Sequence, residues 1–348
     1  MVKIGLIGYG YWGPKHARNF HELPGAEFRM VADLNGERLR QVQAMYPWVA
    51  CTKDYRELLE SDVEGVVIAT PVSTHHQIAR EALLRGKHVL VEKPMTSSLQ
   101  EARELVEIAD SQQRILMVGH TYQYNPAVAF LRDYIKSGEL GEIYYIDANR
   151  LNLGLFQPDV SALWDLAPHD LSILLWLLGE NPLTISARGA ARITPPFHDV
   201  VYVEMMFPGN IMAHIHVSWL DPCKMRRVTV VGSKKMVVFD DMAEAEKIRI
   251  YDKGVVPMAE DNGNGWPVHY HNGNVVIPSI PNTEPLKVEC QHFLDCITRG
   301  QQPVSDGRMG LRVVNILEAA ARSLCNGGER QSLSEEGLLP LPARRGAR

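Results

Sequence analysis

The stretch VKIGLIGYGYWG, residues 2–13, decides the fold. Its opening residues are short, β-rich and apolar, and they run straight into Gly8, Gly10 and Gly13, spaced as G-x-G-x-x-G ahead of a helical pattern. Glycines there permit a tight turn and let backbone N–H groups approach a pyrophosphate, whose charge the following helix N-terminus favours. Alone the motif is weak; its context strengthens it. A second strand, FRMVAD, ends at Asp33, twenty residues after Gly13, where a carboxylate accepts hydrogen bonds from the adenosine ribose hydroxyls. That carboxylate repels a 2′-phosphate, so NAD is expected as the cofactor, with Arg38 and Arg40 close enough in sequence to admit NADP.

Outward from this turn, VKIGLIG, FRMVAD, GVVIAT, HVLVEK and ILMVG alternate with amphipathic segments up to about residue 120, the rhythm of βαβ units on a parallel sheet. From about residue 142 the period changes to two, in EIYYIDANRL, VVYVEMMF, IMAHIHVSWL, RRVTVVG and KMVVFDD, which predicts a largely antiparallel sheet. The fold class expected is α/β: an N-terminal Rossmann dinucleotide-binding domain over 1–121, a C-terminal α+β substrate-binding and oligomerisation domain with a large, mostly antiparallel sheet over 122–335, and a tail over 336–348. A helix from about 165 to 179 interrupts the strands. Leu171, Leu174, Leu175 and Leu178 fall on one face while Ile173, Trp176 and Leu177 leave almost no polar side, so it must be buried. Residues 252–285, rich in Gly, Asn and Pro, read as a long loop: a functional flap, a partner arm or a mobile segment. Two further helices, PLKVECQHFLDCITRG and a run from Gly307 to about Asn326, carry apolar stripes suited to packing back on the body, including the first domain.

The net charge of -5 comes from interleaved acids and bases, with no basic block to follow a phosphate backbone, which argues against nucleic acid. The N-terminus lacks the basic start and long apolar core of a signal peptide, and no run suits a membrane, so a cytoplasmic protein is expected. The five cysteines form no C-x-x-C pair and read as reduced thiols. His214 with His216, and His269 with His271, have no carboxylate or cysteine at convincing ligand spacing, so no metal is expected.

The strand HVLVEK leads into Lys93, and charged groups at the carboxyl end of a parallel strand lie in the crevice where such sheets hold ligands. The run TPVSTHHQIAREALLRGKHVLVEKP, residues 70–94, taken with GLIGYGYWG, with the Asp-x-x-x-His of WDLAPHD at 164–170 and with EPLKVECQHFLDCITRGQQPVSDG near the end, resembles the Gfo/Idh/MocA family of NAD(P)-dependent oxidoreductases. The resemblance spans nearly the whole chain and implies a two-domain enzyme acting on sugars, inositols or sugar nucleotides. Residue by residue it implies Gly8, Gly10 and Gly13 at the pyrophosphate, Asp33 at the ribose, Thr70 and Pro71 at a strand end beside the cofactor, Glu92 and Lys93 as the signature pair, and Lys93, Asp165 and His169 as the catalytic group. Beside these, Tyr11, Trp12 and His75 are further cofactor-side candidates, and His120 either lines the cofactor pocket or only caps a turn. Tyr122, Tyr124, Asn125, Arg150, Asn152 and Trp164 are the substrate-side candidates. Two departures bear on the substrate. SALW precedes the aspartate where many members have a glycine cluster, and HTYQYNP stands where relatives often carry an arginine.

The implied reaction transfers a hydride between nicotinamide and a ring secondary alcohol of a sugar, with a sugar nucleotide, for example 3-dehydrogenated, as the first expectation. His169 would be the base, Lys93 would stabilise the alkoxide, and Asp165, at the cap of its helix, would orient the imidazole or bind a neighbouring hydroxyl. Inositol or free-sugar dehydrogenation, NAD-dependent glycoside cleavage and cofactor sensing without turnover are the alternatives. A homodimer or homotetramer is expected through the open face of the second sheet, with Val217, Trp219, Val228, Val230 and Val237 on that face.

Overall fold

In the computed structural model, which describes residues 1–154, 156, 160–193, 195–257 and 268–333, the opening stretch is strand β1 (Val2–Ile7) followed by helix α1 (Gly13–Glu22), and everything in the first unit is built around that pair. Pro14 sits in the first turn of α1, where its missing N–H costs nothing. The chain continues through β2 (Ala26–Ala32), α2 (Gly36–Met45), β3 (Ala50–Thr52), α3 (Tyr55–Glu60), β4 (Gly65–Ile68), α4 (Val72–Leu84), β5 (His88–Val91), α5 (Leu99–Gln112) and β6 (Leu116–Val118). The six strands pair in parallel in the order β3-β2-β1-β4-β5-β6. The order reverses between β1 and β4, and such a switch point opens the crevice in which doubly wound sheets bind ligands at their strand carboxyl ends. β4 is buried at every residue, as expected of a parallel strand covered on both faces.

After a short 3-10 turn over Thr121–Tyr124 come α6 (Pro126–Lys136), β7 (Ile143–Leu153), α7 (Ala162–Leu178), β8 (Thr184–Ala190), β9 (Val200–Phe207), β10 (Ile211–Ser218), β11 (Leu220–Gly232), β12 (Met236–Asp240), β13 (Ile248–Pro257) and β14 (Val268–Val276). The second sheet has the order β14-β13-β12-β11-β7-β10-β9-β8 and is antiparallel except where β10 runs parallel to β7. Helices α8 (Pro285–Arg299) and α9 (Gly307–Cys325) end the described chain.

Two compact units result. The first comprises Met1–Tyr124 with Glu284–Asn315, so α8 and the start of α9 belong to it; the second comprises Asn125–Thr283 with Ile316–Leu333. In the first, Phe293 of α8 is fully buried and meets Phe20 of α1 edge-on, so the late helix completes a core begun by the first strand. In the second, α7 lies on α6 and on strands β7, β9 and β10, where Ile146, Ala148, Val203, Ala213 and Ile215 are buried in alternation along the strands. Among the described residues no helix is long and apolar enough to cross a membrane.

Three expectations are corrected. Val217, Trp219, Val228, Val230 and Val237 are all buried, so they belong to the inner side of the second sheet; the opposite side carries Tyr145, Tyr202 and Met212, each at least 40% exposed. The stretch read as a loop over 252–285 contains β13 and β14, with Lys253 opposite Asn272 and Val255 opposite Tyr270. β14 is an edge strand almost wholly exposed, so burial imposes no apolar alternation on it. Residues 258–267 of that stretch, and the tail over 336–348, lie outside the described residues. Finally, α7 begins at Ala162. Ser161 occupies the N-cap position and its carbonyl accepts the Asp165 N–H, so Asp165 lies in the first turn and does not cap the helix. An acid there still complements the positive end of the helix.

Candidate active site

The glycine turn between β1 and α1 is shaped by contact as much as by conformation. Gly8 has φ +94°, and a Cβ on it would lie 2.5 Å from the Ala69 carbonyl oxygen; one on Gly13 would lie 2.4 Å from that of Gly8. Both positions therefore require glycine. Around Gly10 the nearest heavy atom to such a Cβ is Arg38 Nη1 at 3.9 Å, so this side of the turn is open. A closed turn with one open glycine face at a helix N-terminus fits a pyrophosphate. Asp33, 8% exposed, accepts the Tyr9 N–H at 2.6 Å on Oδ2 and the Asn35 N–H at 2.7 Å on Oδ1, with Arg38 Nη1 at 3.4 Å from Oδ2. The carboxylate thus ties the glycine turn to the end of β2 and keeps lone pairs for ribose hydroxyls. Arg40, by contrast, pairs with Glu37 away from it.

Tyr11 and Trp12 meet edge-on at 5.7 Å, and Lys15 Nζ stands 3.7 Å from the Tyr11 ring centre and 4.2 Å from that of Trp12. Sequence reasoning did not name Lys15. It adds a cation to the turn, held by the ring faces.

At the strand ends the residues separate into an accessible rim and a buried support. Gly10, Trp12, Thr70 and Lys93 are half-buried, and Tyr11 and Pro71 are exposed. Behind them, Glu92 is 6% exposed and accepts from His16 Nε2 at 2.8 Å and from the Lys93 N–H at 3.2 Å. Burial would raise its pKa, but the hydrogen bond and charge of His16, with Lys93, carry it below the ordinary value. His16 Nδ1 lies 3.7 Å from Cys290 Sγ, and a Cβ on Gly119 would come within 3.1 Å of Glu92 Oε2, so the carboxylate is confined on several sides. His16 also escaped sequence reasoning; its position three residues after Gly13 was the available signal.

His75 and His120, both cofactor-side candidates, lie buried behind the rim. His75, 1% exposed, places Nδ1 2.9 Å from the Pro94 carbonyl and Nε2 2.8 Å from that of Thr70, bracing the ends of β4 and β5. Burial lowers its pKa against the pull of those two carbonyls. His120 is fully enclosed, its ring nitrogens have no hydrogen-bond partner among the described residues, and burial drives its pKa down to about 3.

In the second unit, Trp164, Asp165 and His169 share the N-terminal turns of α7 and are all half-buried. Asp165 and His169 are four apart on the helix and so on one face. Trp219 Nε1 donates to Asp165 Oδ2 at 3.2 Å. Tyr122, in the first unit, and Asn152 are half-buried as well. Three other substrate candidates have partners within the fold. Arg150, 5% exposed, grips Asp170 through Nε at 2.7 Å and Nη2 at 3.0 Å, and so anchors β7 to α7. Asn125 caps α6 by accepting the Ala127 N–H at 2.9 Å. Tyr124 is buried in the first unit, its hydroxyl 3.0 Å from Ser305 Oγ, with burial holding its pKa well above the ordinary value.

Three of the four paired histidines have partners of their own. His214 Nδ1 is 2.9 Å from Asp147 Oδ1, His216 stacks on Tyr202 at 4.1 Å, and His271 pairs with Asp252 at 3.0 Å. Among the described residues no cluster of three ligating side chains could hold a metal ion.

Residues 2–120 match the family model for an oxidoreductase family with an NAD-binding Rossmann fold, and residues 128–238 match the Gfo/Idh/MocA C-terminal domain model. The chain is 27% identical over 331 residues to the UDP-N-acetylglucosamine 3-dehydrogenase of Acidithiobacillus ferrooxidans, covering 90% of this chain and 94% of that protein. A solved structure of that enzyme superposes with a TM-score of 0.77, covering 92% of this chain and 97% of the other at 26% identity. An uncharacterised oxidoreductase of Escherichia coli is 31% identical over 252 residues, 67% of this chain and 69% of its own length. An inositol 2-dehydrogenase of Rubrobacter xylanophilus is 26% identical over 336 residues, 92% of this chain and 91% of its own. With the glycine turn and the Glu-Lys-Pro strand end in place, these matches establish that the chain belongs to the Gfo/Idh/MocA family of oxidoreductases and that its first unit is an NAD-binding Rossmann fold.

Proposed function

We propose that the protein is an NAD-dependent dehydrogenase of ring secondary alcohols in sugars, acting on a nucleotide-linked sugar at its C3 hydroxyl. The observation that carries this reading is Lys93, a half-buried ammonium at the carboxyl end of β5, one residue after the fixed Glu92 and in the same unit as the open glycine turn. NAD, when bound, supplies the hydride acceptor. Lys93 donates a hydrogen bond to the alcohol oxygen and stabilises the negative charge that grows on it. His169 takes the hydroxyl proton, a transfer that typically contributes about 10²- to 10⁴-fold, and Asp165 orients the imidazole. The nucleotide-linked sugar is placed first on the similarity to the UDP-N-acetylglucosamine 3-dehydrogenase in both sequence and fold, and inositol second on a sequence similarity of nearly the same extent. The reading includes action in the cytoplasm and a homo-oligomer formed through the outer side of the second sheet, where Tyr145, Tyr202 and Met212 are exposed.

The test is NADH formation by the purified protein with UDP-N-acetylglucosamine, glucose and myo-inositol. UDP-N-acetylglucosamine is expected to reduce NAD fastest, and His169→Ala to lose turnover by at least about a hundredfold while NAD affinity is kept. Faster reduction with inositol would move the assignment to polyols. Sugar turnover without net NADH would replace dehydrogenation by transient oxidation, and unimpaired turnover in His169→Ala would remove the proposed base.

A further inference from the structure

Trp219 lies at the junction of β10 and β11, is 1% exposed, and is among the largest fully enclosed side chains of the protein. A core tryptophan needs a partner for its indole N–H, because that donor is costly to bury unpaired. Here the acceptor is Oδ2 of Asp165 at 3.2 Å, a carboxylate that is itself half-buried. The ring is locked from several directions. Its backbone N–H donates to the Asp199 carbonyl at 2.9 Å and its carbonyl accepts from the Gly154 N–H at 3.0 Å. A Cβ on Gly154 would lie 2.8 Å from Trp219 Cδ1, so the glycine lets the backbone close over the indole edge, and Phe156 packs on the ring at 5.5 Å. Asp199 is wholly buried and accepts the N–H groups of Arg192 and Ile193, so the strand pair behind the indole is also tied down. A donor this rigid selects one orientation of a short carboxylate side chain.

We propose that Trp219 is a positioning residue of the reaction: its fixed indole N–H holds the Asp165 carboxylate in the orientation from which it steers His169, one helical turn on. The inference rests on the catalytic reading of Asp165 given above. Trp219 touches no reacting atom and acts only through Asp165. The strand-to-strand junction of the second sheet thereby sets the geometry of the α7 residues that do the chemistry.

A double-mutant cycle with UDP-N-acetylglucosamine, or with glucose or myo-inositol if one of these reduces NAD faster, separates positioning from packing. Trp219→Phe keeps the apolar ring and removes the donor. It is expected to lower kcat about tenfold with NAD affinity unchanged, and to add almost nothing further when Asp165→Asn is already present. Should Trp219→Phe fold poorly, benzothienylalanine at 219, which replaces the indole N–H by sulfur, removes the same hydrogen bond from an almost unchanged shape and must give the same result. If Asp165→Asn lowers kcat but removal of the N–H does not, or if the two losses multiply, Trp219 is only a core residue and the inference fails while the catalytic reading stands. If Asp165→Asn retains full turnover, the catalytic reading of Asp165 itself fails.

Discussion

Asp33 is fixed in the structure by its hydrogen bonds, and the selectivity proposed for it rests on the same carboxylate. Its residue type and its distance from the glycine motif were legible in the sequence, whereas its hydrogen bonds to the Tyr9 and Asn35 N–H groups were not. Those bonds make the carboxylate part of the turn, and Arg38 at 3.4 Å is the cation that remains if the carboxylate is removed. Asp33→Ala is expected to weaken NAD binding by about tenfold or more, the scale of a hydrogen bond to a charged group, and NADP binding by clearly less, since Arg38 is released toward a 2′-phosphate. Fluorescence titration with NADH and NADPH reads both affinities. Equal losses would mean that Asp33 acts only through the glycine turn. The same distinction applies to the substrate-side candidates. Arg150, Tyr124 and Asn125 have the right chemistry for a sugar, but Asp170, Ser305 and the start of α6 claim them, and those partners are brought up only by the tertiary fold.

At the scale of elements, legibility followed burial. β1, β4 and β5 are apolar because helices cover both faces, and β7, β9 and β10 alternate because only one face is covered, so their periods could be read directly. β3 is three residues long and β14 is exposed along its length, so neither carries a period to read. The helix α7 was found from its leucines, yet its start was placed three residues late. Asp165 is a favourable cap type, but Ser161 is too, and the Asp165 N–H donates to the Ser161 carbonyl. That displacement matters for function. Within the first turn, Asp165 does not occupy the cap position, and its carboxylate accepts the Trp219 indole N–H. Alternation also located the inner residues of the second sheet without saying which side was inner, because a strand pattern fixes two faces and only α7 decides which of them is covered.

For the whole molecule, the buried titratable groups of the first unit set how stability responds to pH. His75, His88, His120 and His292 all have pKa values lowered chiefly by burial from the ordinary 6.5, His88 to about 4 and His120 to about 3. A histidine depressed in the folded state binds its proton first in the unfolded chain, so stability is unaffected above pH 6.5 and falls as pH drops from there toward the folded values. Glu289 runs the other way. Burial and the neighbouring charge of Glu92 raise its pKa well above 4.5, outweighing the Thr121 hydroxyl at 2.8 Å, so the folded state keeps a proton that the unfolded chain releases. Stability from that source is full below pH 4.5 and declines as pH rises toward the folded value, and Asp306, raised mainly by burial, adds to the decline. On the acid side the histidines are joined by Glu92, whose pKa is held below its ordinary value although burial opposes this, so thermal unfolding is expected to show a falling midpoint as pH drops from 6.5 to 4. His120→Asn should flatten the fall between pH 6.5 and 4, while Glu289→Gln should remove the decline that sets in as pH rises above 4.5, and so steepen the remaining acid-side fall, with no effect on the slope below pH 4.5. Melting curves of the three proteins across that range decide the matter. Parallel curves for wild type and His120→Asn would mean that the enclosed imidazole is already protonated in the fold, and its unpartnered nitrogens would then have to be satisfied by bound solvent.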